Sequence, residues 1–280
     1  MVDIDVKFLF LKEQNIKDNA SFQAYLTDKT CVVGFDIYHY SQMEDIQQVL
    51  LPFVTSHIVK QARERATVYN GFLFKEYNEK SPIPFIDTGD GGFFLLRNPL
   101  EGIALVICLR AIFFLFNIDK SGTRFVDLFG TVDVRFAMTY DKCYRFQENS
   151  YGPAIINCAR ILSKDKLNRF LIDGNSHLWF MHNTGGVMSL PRLQYKQILK
   201  IEDFHKYSLS DIGERDDKTF CFNSSNGAVL TFAKESKCDR NSEKNTILDY
   251  YNVYLQVEDT DKDESVSTLF DIGNDNSNGI

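Results

Sequence analysis

Two aspartates and two arginines are the side chains of this chain whose types and positions suit chemistry. Asp36 ends the apolar run Cys31 to Tyr38, and Asp90 lies in a Gly/Asp turn between the apolar runs Pro84–Ile86 and Phe93–Leu96. Two carboxylates converging at strand ends are the minimum equipment for gripping hydrated divalent cations, and a two-metal site performs phosphoryl transfer. Arg135, in a later apolar run, and Arg160, in a later helical stretch, suit neutralisation of a polyphosphate. Each residue taken alone has a plainer reading, as a turn, a cap or a surface charge. Asp87-Thr88-Gly89-Asp90-Gly91 in particular also reads as an ordinary Asp-Gly hairpin turn.

The elements that must position these residues follow from periodicity. Cys31 to Tyr38 reads as a buried strand. Ser41, with Glu44 three residues on, has the spacing of a capping box for a helix over Ile46 to Val68, interrupted near Pro52. Gly71 to Tyr77 reads as a short strand, and Pro84 to Arg97 as a β-hairpin. Asn98-Pro99-Leu100-Glu101 is a helix start, with an Asn cap and Pro at the first position, and its helix reaches Asn117 with its aromatics in the core. Residues 117–130 read as a loop. Thr131–Tyr140 is a strand with Cys143–Phe146 as its partner, Ala154–Leu162 a helix, Arg169–Asp173 a strand, and Ser176–Met181 a short helix. Farther on, Tyr195–Phe204, Thr219–Phe222, Val229–Phe232 and Tyr250–Val257 read as strands, with Asn223–Gly227 as a hairpin turn.

This order predicts an α+β fold, a mostly antiparallel sheet with covering helices. The expected organisation is an N-terminal arm over 1–27, a main domain over 28–190, a β-rich C-terminal extension over 191–257 packed on it, and an acidic disordered tail over 258–280. The net charge of −7 argues against nucleic acid and against a basic membrane-binding surface. Six cysteines form no C-x-x-C pair, and four sit in apolar runs, as in a reduced cytoplasmic protein. No signal-peptide pattern is present, and the most apolar segment, Gly102 to Phe116, is short and carries Arg110. The five histidines lack metal-ligand spacing, and His39 reads as a turn residue and Trp179 as packing.

The motifs, taken in order, resemble the class III nucleotide cyclases, the adenylyl/guanylyl cyclase homology domain. Phe35-Asp36-Ile37 with Tyr40-Ser41 is similar to that family's first metal motif, and Thr88-Gly89-Asp90 to its second. Val134-Arg135 resembles the strand whose Arg contacts the triphosphate. Tyr151-Gly152 through Asn157 to Arg160 resembles the helix that supplies the transition-state Arg, and Lys166 to Ile172 the strand after it. The likeness covers roughly residues 28–190. It implies that Asp36, Asp90 and the Ile37 carbonyl hold two Mn²⁺ or Mg²⁺ ions per site, and that Arg135 and Arg160 meet the triphosphate and the α-phosphate. It also implies a head-to-tail homodimer with two interfacial sites, each taking its aspartates and its Arg from different subunits.

Three positions depart from the family. Ile156 stands where the ribose-orienting Asn is usual, and Asn157, three residues before Arg160, is the candidate substitute. Ile86 and Asn149 stand where purine-selecting residues are usual. The late Lys on the triphosphate has no clear counterpart, Lys206 and Lys218 being candidates. An Asn amide both donates and accepts, so Asn149 suits uracil or cytosine, and Tyr38 fills space that a purine needs. The character is closest to the pyrimidine cyclases of the bacterial Pycsar antiphage system, which make cUMP or cCMP for a separate cyclic-nucleotide effector. The alternatives are an adenylyl cyclase with an altered base pocket and a catalytically dead binding module; a diguanylate cyclase is disfavoured because the paired acidic residues after two glycines are absent.

Overall fold

The computed structural model describes residues 2–3, 28–69, 71–118, 132–146, 149–166, 168–188, 218–223, 228–234, 239–241, 246–259 and 266–271. Chain order is β1 (Val2–Asp3), β2 (Thr30–Ile37), α1 (Asp45–Tyr69), β3 (Phe85–Asp87), β4 (Gly91–Leu96), α2 (Pro99–Ile118), β5 (Val134–Asp141), β6 (Tyr144–Phe146), β7 (Asn149–Tyr151), α3 (Pro153–Lys164), β8 (Phe170–Asp173) and α4 (Gly174–Met188). Six further strands follow: β9 (Lys218–Asn223), β10 (Ala228–Lys234), β11 (Asp239–Asn241), β12 (Thr246–Leu248), β13 (Tyr250–Asp259) and β14 (Val266–Asp271).

The main sheet runs β3-β4-β2-β5-β8-β13-β10-β9, with β14 beside β13. It is antiparallel throughout except where β5 meets β8. The fold is α+β, a mostly antiparallel sheet with covering helices, as the pattern of elements predicts.

Strand alternation assigns the two faces. In β2, Cys31, Val33, Phe35 and Ile37 enter the larger core under α1 and α2, together with Phe94, Phe113 and Phe136. Val32 points the other way, into a smaller core with Ala137, Cys158 and Leu162 beneath α3. Gly34 shares that second face, and a Cβ there would lie 2.8 Å from Cys158 Sγ and 2.9 Å from Leu162 Cδ1. Only glycine lets α3 lie this close to the sheet. Helix α3 is further pinned at its start, where Thr139 Oγ1 donates to Ala154 O (2.7 Å) and Ala154 N donates to Lys142 O (3.2 Å).

Several expectations are corrected. Ser41 lies in a one-turn 3-10 helix, Tyr40–Gln42, and does not cap α1. Glu44 opens α1 instead: its carbonyl accepts Gln48 N (3.0 Å), and its own N–H donates to Gln47 Oε1 (2.9 Å), the returning half of a capping box. Pro52 does not interrupt α1. A proline at that position leaves the carbonyl of Gln48 without its helical donor, and Tyr40 Oη supplies one at 3.2 Å. Gly71–Tyr77 forms turns rather than a strand. They are held because Arg97, which bonds the Leu73 carbonyl (2.8 Å), is itself bound to the fully buried Glu101 carboxylate.

Cys143–Phe146 is not the partner of the preceding strand. β6 (Tyr144–Phe146) pairs with β7 and β1 in a separate small sheet, and β5 is already flanked by β2 and β8. The expected short helix over 176–181 is the longer α4, capped by Asp173, whose Oδ1 accepts Ser176 N (2.8 Å). Within the span expected as a C-terminal extension, β13, β10 and β9 continue the main sheet, and within the expected disordered tail β14 pairs with β13. The expected loop over 117–130 lies almost entirely outside the described residues, as do Tyr195–Phe204, Lys206 and most of the N-terminal arm.

Candidate active site

Asp36 is the penultimate residue of β2, on the sheet face that carries Gly34 and α3. Its strand neighbours are Gly91 of β4 on one side and Arg135 of β5 on the other. Asp90, in the β3–β4 turn, closes the same end of the sheet: Ile37 N donates to the Asp90 carbonyl at 3.0 Å. The close approach of the two strands needs a glycine at 91, where a Cβ would lie 2.1 Å from Phe35 O. Asp87 stays at the surface and shapes the turn, its Oδ1 accepting Gly89 N (2.8 Å).

The two carboxylates share one environment. Partial burial, then the neighbouring charge of Asp36, push the Asp90 carboxyl above the ordinary aspartate range. Arg135 supplies one compensating charge: its Nε donates to Asp36 Oδ2 (2.7 Å), and its second guanidinium nitrogen pairs with the same oxygen. Arg135 Nη1 also donates to the Asp165 carbonyl (2.9 Å), and the guanidinium lies 5.5 Å from the Tyr38 ring centroid. Two carboxylates against one guanidinium leave net negative charge, and the Ile37 carbonyl adjoins them in sequence. That donor set fits a hard divalent cation, which takes carboxylate and carbonyl oxygens. Among the described residues no group of three or more His, Cys, Asp or Glu side chains could hold a metal.

Asp165, which the sequence does not single out, holds both Arg135 and Arg169. Its carboxylate is buried and accepts Arg169 N (2.6 Å) and Arg169 Nε (2.9 Å), while its carbonyl takes Arg135. The only sequence signal for it was the i,i+4 spacing of Asp165 and Arg169.

The remaining candidates fall in different places. Ile86 is partly buried against the smaller core, on the same face as Asp36. Asn149 lies exposed on β7, paired with Phe146 in the small sheet, and not beside Ile86. Asn157 and Arg160 meet on α3, Arg160 Nη1 donating to Asn157 Oδ1 at 3.2 Å. Ile156 is 60% exposed. The buried residues of α3 are Ala154, Cys158, Ile161 and Leu162, so at about 100° per residue Arg160 points away from the sheet. A single copy therefore gathers Asp36, Asp90, Arg135 and Tyr38 but turns Arg160 outward.

Other reactive groups are occupied or inert. Cys31, Cys108, Cys143 and Cys158 are buried free thiols, and burial pushes Cys143 up to about 11 and Cys108 up to about 12. His39 sits in a left-handed turn (φ 62°), and Trp179 packs edge-on against Phe180. No helix among the described residues is long and apolar enough to cross a membrane.

No family model matches the chain, and no curated protein matches it. Solved structures do. The chain is similar to the adenylyl cyclase CyaB from P. aeruginosa, with 10% identity over 80% of this chain and 93% of that one, at a TM-score of 0.46. It is likewise similar to an adenylate/guanylate cyclase/hydrolase from Silicibacter pomeroyi (9% identity, 80% and 95% covered, TM-score 0.46). A third is the non-canonical dimeric guanylyl cyclase domain of a RhoGC fusion protein from the aquatic fungus Blastocladiella emersonii (8% identity, 81% and 96% covered, TM-score 0.45).

Proposed function

We propose that this chain is a nucleotide cyclase that converts a pyrimidine nucleoside triphosphate, UTP or CTP, to its 3′,5′-cyclic monophosphate and pyrophosphate. The observation that carries the reading is the meeting of Asp36 and Asp90 at one end of the sheet, beside Arg135. Mn²⁺ or Mg²⁺, when bound there, would acidify the ribose 3′-hydroxyl and offset charge on the phosphates. Asp36, Asp90 and the Ile37 carbonyl would hold it.

The rest is the work of this chain's own side chains. Arg135, held by the Asp165 carbonyl, would bind the β- and γ-phosphates. The 3′-hydroxyl passes its proton to solvent water, its oxygen attacks the α-phosphorus in line, the bond to the β-phosphate oxygen breaks, and pyrophosphate leaves. Arg160 of a second copy meets the charge that builds on the α-phosphate, and Asn157, bonded to it, orients the ribose. The outward direction of Arg160 supports a head-to-tail homodimer with shared sites. Ile86 is an apolar side chain on the Asp36 face where a purine cyclase needs a polar one, and this favours a pyrimidine. Tyr38 adds bulk beside Arg135. Asn149 would contact the base only across the dimer. The product would act as a messenger for a separate cyclic-nucleotide effector, in antiphage defence.

Incubating the protein with each of the four nucleoside triphosphates and Mn²⁺, followed by mass spectrometry, tests the reading. Cyclic UMP or cyclic CMP is expected from wild type, with none from Asp90→Asn or Arg160→Ala alone. Mixing the two variants should restore activity, because each heterodimer keeps one site with Asp36, Asp90 and Arg160 intact. Wild-type activity in Asp90→Asn refutes the site, cyclic AMP as the main product refutes the base, and failure of the mixture refutes the shared geometry.

A further inference from the structure

We propose that Arg135 is the internal counter-ion of the carboxylate pair, released to the nucleotide's phosphates only when a divalent cation replaces it at Asp36. The inference rests on the cyclase reading and deepens it: cation and nucleotide binding become coupled through one side chain.

The geometry gives Arg135 a specific hold on the site. Arg135 and Asp36 stand directly opposite in the β5–β2 register, which fixes them as neighbours whatever their rotamers. Two of its nitrogens converge on a single oxygen, Oδ2 of Asp36. Both side chains are only 19% exposed, so water screens the pair weakly. The guanidinium thus occupies Oδ2, one of the two carboxylate oxygens that Asp36 can offer a cation. Two positive groups cannot share that oxygen without strong mutual repulsion in a half-buried site.

Arg135 can leave Asp36 without becoming disordered. Its Nη1 stays tied to the Asp165 carbonyl (2.9 Å), and that carbonyl is fixed because the Asp165 carboxylate holds Arg169 through two bonds. The guanidinium carbon also lies over the Tyr38 ring, 5.5 Å from its centroid. A modest swing would then free Nε and the second terminal nitrogen, a planar fork that matches phosphate. Without a cation, nucleotide phosphates must compete with Asp36 for the same donors. The site therefore admits the triphosphate strongly only in company with the cation.

Calorimetry with 3′-deoxyuridine triphosphate, which cannot cyclise, tests this, with EDTA and then with saturating Mn²⁺. In Arg135→Ala, affinity in EDTA should stay within about twofold of wild type, while affinity with Mn²⁺ should fall about tenfold or more, within the usual range of coupling between sites. Binding of Mn²⁺ alone, read by electron paramagnetic resonance, should be about tenfold tighter in Arg135→Ala than in wild type. Arg135→Lys retains the charge but not the fork, and should recover less than half of the lost nucleotide affinity in logarithmic terms. An equal loss in EDTA and in Mn²⁺ overturns the proposal, since Arg135 would then be a standing phosphate clamp. Unchanged Mn²⁺ affinity in Arg135→Ala also overturns it. If Mn²⁺ binds neither wild type nor Arg135→Ala, the cyclase reading itself fails; if it binds and Asp90→Asn abolishes binding, that reading survives whatever Arg135 does.

Discussion

Replacing Asp90 by Asn should make the cation-free protein more stable while removing its response to cations. Two like charges about 4 Å apart repel by about 4 kcal/mol at an effective dielectric constant of 20. Asp90 is partly exposed, and Arg135 already offsets part of the charge of Asp36, so solvent and counter-ion reduce this to about 1 kcal/mol. Asn is isosteric and its Oδ1 can still accept hydrogen bonds, so little is lost in return. For a chain of this size about 1 kcal/mol corresponds to a rise of about 2 °C in Tm. The assay is thermal unfolding in EDTA and again in excess Mn²⁺. In EDTA the variant should melt above wild type. In Mn²⁺ only wild type should move upward, since only its native state binds the ion, and the order should reverse. A variant that melts below wild type in EDTA, or rises with Mn²⁺ as wild type does, would refute the account of this end of the sheet.

Two further outcomes follow from the packing and the buried charge. Gly34→Ala should cost about 1–3 kcal/mol, because its Cβ would overlap Cys158 Sγ and Leu162 Cδ1, and Cys158→Ala in the same chain should recover part of the loss; simple additivity in urea unfolding would contradict the contact. Asp173, buried beneath α4, has its carboxyl pushed up to about 6 by desolvation, against the pull of the Ser176 and Tyr140 N–H groups. Its unfolded value is about 3.9, so the native state binds the proton more tightly, and the stability this contributes, about 3 kcal/mol, is full below pH of about 4 and lost as pH rises through about 6. Asp173→Asn keeps the helix cap and should flatten that part of the Tm profile between pH 4 and 7; an unchanged profile would exclude Asp173 as its source.

What the sequence made legible is what short-range rules govern. The β2 strand, the β3–β4 hairpin and the starts of α2 and α3 all carry local signals: an apolar run, a Gly/Asp turn, Asn98 before Pro99, and Pro153 after Gly152. The four motif residues could be named because each sits at a fixed offset from such a signal. Long-range partnerships were not legible. Nothing beside Pro52 announces that Tyr40, twelve residues earlier, supplies the missing donor to Gln48. Composition cannot say that β6 turns away to β7 and β1, because β5 has both its edges filled by distant strands. Arg135 could be picked out by its place after Val134, yet its bond to Asp36 spans 99 residues and exists only through the β2–β5 register.

That register also explains why fold and chemistry are specified together. Along β2 one face reads Cys31, Val33, Phe35, Ile37 and fills the larger core; the other reads Val32, Gly34, Asp36. The second series changes from packing to spacing to charge within five residues. Val32 helps seat α3, Gly34 sets how closely α3 lies, and Asp36 emerges where the helix ends and the Asp165 carbonyl can take Arg135. A slip of one residue would drive Asp36 among Phe94, Phe113 and Phe136 and force Phe35 against Cys158 and Leu162, into the space that Gly34 keeps clear beneath α3. A buried, unpaired carboxylate there would cost several kcal/mol, more than enough to exclude the slipped pairing. The placement of the acid is therefore enforced by the same alternation that builds the core.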